Sequence, residues 1–87
     1  MRTALNAVSG SGEVTVFSPG VAEVVVAKAA DLDHALHNAV TLVMETAIER
    51  RTGIMMTRLG IGRYIVQVHP EVPVGLIRER HVLKADQ

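Results

Sequence analysis

Apolar and polar residues alternate along this 87-residue chain with two different periods. "EVTVF", residues 13–17, alternates every second position and is rich in β-branched residues, which predicts a strand. "SPG" follows. Pro19 and Gly20 suit the two central positions of a type II turn, proline fixing the first φ and glycine supplying a positive second one. "VAEVVVAK", residues 21–28, reads as a second strand, and its three consecutive valines predict burial on both faces. The period then lengthens. "DLDHALHNAVTLVMETAIERRTG", residues 31–53, predicts one helix, with Asp31 as N-cap and Asp33 in the first turn. Arg50 and Arg51 stand in its last turn, and Gly53 fits the position just past its end. "GIMMTRL" and "GRYIVQVHP" predict two further strands, paired through a loop containing Gly60 and Gly62. In the second of these, Tyr64, Val66 and Val68 fall on one face and Arg63, Gln67 and His69 on the other. Pro70 and Pro73 end the strand and set up an extended connection. The closing "LIRERHVLKADQ" fits either a short helix or an edge strand.

The order β-β-α-β-β predicts an α+β domain: an antiparallel sheet, one main amphipathic helix packed on it and a short C-terminal element. That single domain runs over residues 13–87. Residues 1–12, ending in "SGSG", read as a flexible N-terminal segment.

The helix is apolar on too many sides. At 100° per residue, Leu32, Leu36, Ala39, Val43 and Ala47 form a central stripe. Ala35 and Leu42 widen it on one flank, and Val40, Met44 and Ile48 on the other. Together they span roughly 240°, against the ~100° or more typical of a helix resting on a sheet. Either the sheet and tail wrap the helix, or one flank meets another chain. The residues predicted for such an interface are Val40, Met44 and Ile48 on one side and Ala35 and Leu42 on the other.

Size favours the second alternative. A domain this small buries only ~60–65% of the surface its unfolded chain exposes and gains from disulfides, a metal or oligomerisation. The chain has no cysteine, which removes disulfides and thiolate metal sites. A homodimer is therefore expected, with an isologous contact. Net charge is zero, which argues against a dedicated nucleic-acid or membrane binder. The charge is unevenly spread: residues 1–49 carry two basic and six acidic side chains, and residues 50–87 carry seven basic and three acidic. Such a split suits complementary contacts between copies or an acidic partner. No run of ~18 apolar residues is present to span a membrane. The opening "MRTALNAVSGSGE" lacks the continuous apolar core of a signal peptide, so a cytoplasmic location is expected.

Candidate chemistry is sparse. His34 and His37 stand three apart on the helix and point roughly the same way, with Glu45 or Asp33 as a third candidate ligand, yet a catalytic zinc site needs three protein ligands with further support, and nothing places His69 or His81 nearby. "LGIGRY" contains Gly-x-Gly, but it leads into a strand, whereas a phosphate-binding loop leads into a helix. The serines lack the strand–turn–helix setting of a nucleophile elbow. No catalytic residue, metal or cofactor is expected. Arg58 and Arg63 flank the hairpin loop, and Arg78 and Arg80 lie in the tail. These four are the candidate contacts for nucleic acid or an acidic partner, since a two-stranded ribbon bearing arginines can enter a DNA groove. With Phe17 and Tyr64 the only aromatics, base stacking has little support.

The stretch from Ala35 to Arg80 resembles small accessory proteins encoded by tailed phages of actinobacteria, mycobacteriophages especially. The similar features are the alanine-rich helix ending in "IERRTG", the segment "RYIVQV" and the closing "PEVPVGLIRER". The likeness covers about half the chain and leaves out the hairpin around "FSPG". It implies no catalytic or binding residue. It implies a context, the infected cell, in which such a protein binds host or phage macromolecules. The expectation is a non-enzymatic, homodimeric interaction protein that binds a host protein. The alternative is a nucleic-acid-binding regulator using the arginine-bearing hairpin and the basic tail.

Overall fold

The computed structural model describes residues 6–9 and 12–81 of the chain. The elements in order are β1 (Asn6–Ser9), β2 (Gly12–Ser18), β3 (Val21–Val26), a 3-10 turn (Ala29–Asp31), α1 (Leu32–Arg50), β4 (Gly53–Gly60), β5 (Arg63–His69) and β6 (Ile77–His81). The strands form one sheet in the order β1-β2-β3-β5-β4-β6. The fold is α+β with one helix, as the residue pattern predicts. The sheet is mixed, not purely antiparallel, because β6 pairs with β4 in parallel. The order also gains a strand at each end. Asn6–Ser9, within the stretch expected to be flexible, form β1 against β2. The closing segment resolves into an edge strand over residues 77–81.

The strands pair as their turns dictate. Pro19 and Gly20 join β2 to β3, and Gly20 has φ of +90°, the positive value this position demands. The three valines of β3 divide between two environments. Val24 and Val26 lie in the core, while Val25 is exposed on the opposite face. The expected double-sided burial does not occur, because among the described residues only one face of this sheet carries a helix.

α1 crosses from β3 to β4 over that face, packing mainly on β3 and β5 with β2 and β4 alongside. The buried residues of the helix are Ala35, Ala39, Val43 and Ala47, one per turn. Three alanines in four let the helix axis come close to the valine-rich face formed by Val14, Ala22, Val24, Ile54 and Val66. Leu32, Leu36, Val40 and Met44 pack against the margin of this core.

The helix stops two residues earlier than the glycine signal predicts. Arg51, not Gly53, takes the left-handed conformation, at φ +56°. Its N–H donates to the Ile48 carbonyl at 3.1 Å, and the Thr52 N–H donates to Ala47 at 3.0 Å. These are the two bonds of a Schellman cap. Gly53 instead opens β4, and its role is tertiary. The chain leaving β5 must hop over the start of β4 to reach β6 on the far side. It crosses so closely that a Cβ on Gly53 would lie 2.4 Å from the Pro73 carbonyl oxygen and 2.7 Å from that of Leu76. Backbone bonds hold the crossing: Gly53 N–H to Val72 at 2.6 Å and Ile54 N–H to Leu76 at 3.0 Å. The buried Thr52 hydroxyl donates to the His69 carbonyl, and Val72 is sealed beneath the loop.

Candidate functional site: the open face of the sheet

Among the described residues no helix and no second sheet covers the other face of the strands. The register shows what that face carries. One row across the sheet is Glu13, Val25 and Arg63; the next is Thr15, Glu23, Ile65, Thr57 and Arg80; a third is Val21, Gln67, Met55 and Arg78. Side chains in register on neighbouring strands share a face. The face therefore has an apolar middle of Val21, Val25, Ile65 and Met55. It also has a charge gradient, with Glu13 and Glu23 over β2 and β3 and Arg78 and Arg80 over β6.

Two contacts fix parts of this surface. Arg63 Nη2 donates to Glu23 Oε2 at 3.0 Å, bridging β5 and β3. Arg80 Nη2 donates to the Thr57 hydroxyl at 3.4 Å, and Thr57 is buried on a face whose other residues are half-buried or exposed. The four arginines singled out in the sequence do not form one patch. Arg63, Arg78 and Arg80 lie on the open face. Arg58 pairs in register with Tyr64 and lies on the helix side. One of the three open-face arginines is matched by its own glutamate, so the net positive charge there is small. A nucleic-acid surface that neutralises a run of phosphates needs several unmatched cations.

The five helix residues predicted for an interface also separate. Ala35 is in the core, and Val40 and Met44 are half-buried against it. Only Leu42 and Ile48 are exposed, Ile48 at 63%. The 240° arc is thus partly satisfied within the chain, by β2, β3, β5 and β4 beneath the helix, and Leu42 and Ile48 leave one residue of each flank uncovered. His34 and His37 are exposed on the helix. Among the described residues, no three of His, Cys, Asp and Glu come together as metal ligands would. No helix among them is long and apolar enough to cross a membrane.

The open face was not singled out from the sequence. Its signal was present in the alternation of β2 and β5, but alternation shows that one face is more polar, not that it lacks a covering layer. No protein-family model, curated protein or solved structure matches this chain.

Proposed function

We propose that this chain is a small, non-enzymatic interaction protein that works as a homodimer, two copies joined through the open faces of their sheets. The observation that carries this reading is the composition of that face. Val25 is exposed and Val21, Ile65 and Met55 are half-buried on that face, between an acidic side and a basic side. A two-fold axis lying parallel to the strands near β5 sets β2 and β3 of one copy over β4 and β6 of the other. Glu13 and Glu23 then approach the partner copy's basic edge, and the apolar middles meet. Sheets packed this way lie ~10 Å apart. Five overlapping strands at ~4.8 Å spacing and five residues at ~3.4 Å rise give a face of roughly 400 Å² in plan. Its accessible area is larger, and so approaches the ~800 Å² per partner of a stable interface.

The pairing leaves the helices outermost. In the phage reading, Leu42 and Ile48 on that outer surface are where a host protein in the cytoplasm of an infected cell would dock. A charge-reversal mixture tests the dimer. Arg78→Glu with Arg80→Glu makes one acidic variant, and Glu13→Arg with Glu23→Arg makes a basic one. Each alone sets like charges against like and is expected to be monomeric in sizing chromatography with light scattering. Mixed, they are expected to dimerise. Variants that stay dimeric alone, or stay monomeric when mixed, would overturn this arrangement.

A further inference from the structure

A pocket of about 140 Å³ lies on the helix side of the sheet, between the start of α1 and the β4–β5 loop. Val26, Ala29, Leu32 and Ile61 give it apolar walls, and Arg58 and Tyr64 supply its polar groups. Two features of those polar groups have no role in the fold. Tyr64 is 6% exposed, yet among the described residues its hydroxyl has no hydrogen-bond partner. A hydroxyl that lines a cavity without a protein partner is free to bond a ligand there. Arg58, half-buried beside it across the β4–β5 ladder, has no carboxylate partner among the described residues, although the chain has as many acidic as basic residues. Arg63, five positions on, shows what a paired arginine looks like here.

We infer that this pocket binds a small carboxylate with a branched apolar body. The guanidinium would take the carboxylate through charge-assisted hydrogen bonds, and the tyrosine hydroxyl would donate to the same group. The walls would hold the hydrocarbon. The volume sets the size, since a cavity of ~150 Å³ accommodates a benzene-sized molecule. That means about six to eight non-hydrogen atoms, and a dissociation constant of roughly 0.1–1 mM for a ligand that small. Ile61, 92% exposed, stands at the pocket's rim.

The chain provides its own probe. Tyr64 is its one tyrosine and it has no tryptophan, so tyrosine emission reports this site alone. The experiment titrates the full chain with isovalerate, with N-acetylvaline, whose valine part of about eight non-hydrogen atoms matches the pocket and whose acetyl group would stay outside the rim, and with isovaleramide as the uncharged isostere. The acids present the same group as a free metabolite and as a peptide C-terminus. Saturation by either supports the site, and their relative affinities show which source it favours. Arg58→Gln is expected to weaken binding about tenfold or more. Ile61→Asp, which places a repelling charge at the rim without touching the core, is expected to weaken it as well. Arg63→Gln is expected to leave it unchanged. The inference fails if neither acid saturates the emission below about 10 mM, roughly ten times the weak end of the expected range. It fails equally if isovaleramide binds as well as the acids, or if Arg58→Gln and Ile61→Asp both bind like the parent chain.

Discussion

Replacing Ala39 by leucine is the sharpest test of how the helix sits on the sheet. Ala39 is 0% exposed, midway along the buried face of α1, and the sheet residues Ala22 and Val66 are equally sealed. Leucine adds three carbons where the helix is held close by the small side chains above and below, Ala35, Val43 and Ala47. Added methylenes in a packed core cost ~1–3 kcal/mol, and three at a sealed site place this change at about 3. An 87-residue domain has a total stability of only ~4–13 kcal/mol. The loss is therefore a large part of the whole, equivalent to a fall in Tm of roughly 12–24 °C. The assay is thermal unfolding by circular dichroism at one fixed protein concentration, since self-association would make Tm concentration-dependent. Thr41→Leu is the control. Thr41 is exposed on the same helix, and the change there is expected to stay within about 0.5 kcal/mol. If Ala39→Leu also stayed within that margin, the helix could not be seated on the valine face as described.

Two further changes test the backbone. Arg51→Gly relieves a left-handed residue at the helix cap and is expected to stabilise by about 0.5–1 kcal/mol, read as a rise in Tm; a loss would mean that the arginine side chain contributes more than its backbone strain costs. Gly53→Ala meets two backbone oxygens that cannot rotate away. It is expected to cost about 2–3 kcal/mol and to speed amide hydrogen exchange in β6 ahead of β2 and β3, whereas uniform protection would show that the loop does not cross there.

Local patterns carried much of this fold, and tertiary events explain the rest. The alternation in β2 and β5, the Pro19–Gly20 turn and the long apolar period of α1 all matched their elements, because each depends on neighbours in sequence. The helix end did not. A glycine three residues past Arg50 reads as a cap, but its small size serves a loop that arrives from some twenty residues downstream. The parallel β6 was equally hidden. All five of its residues are exposed, so no buried face imposes a pattern on it, and it is a strand only because β4 offers an edge. The "SGSG" composition concealed β1 in the same way. At the candidate sites, residue types were legible but faces were not. Arg58 and Arg63 flank one loop, yet the register sends them to opposite sides of the sheet. The helix flank looked unpartnered because the sequence does not show how many strands lie beneath it.

The central claim is that the open sheet face, and not the helix, joins two copies. Sedimentation velocity over a dilution series measures it directly on three chains: the parent, Ile65→Glu in the middle of the open face, and Ile48→Glu on the exposed side of α1. The account predicts a dimer for the parent and for Ile48→Glu, and a folded monomer for Ile65→Glu. A parent chain that stays monomeric at every concentration, or a dimer lost with Ile48→Glu and kept with Ile65→Glu, would contradict it.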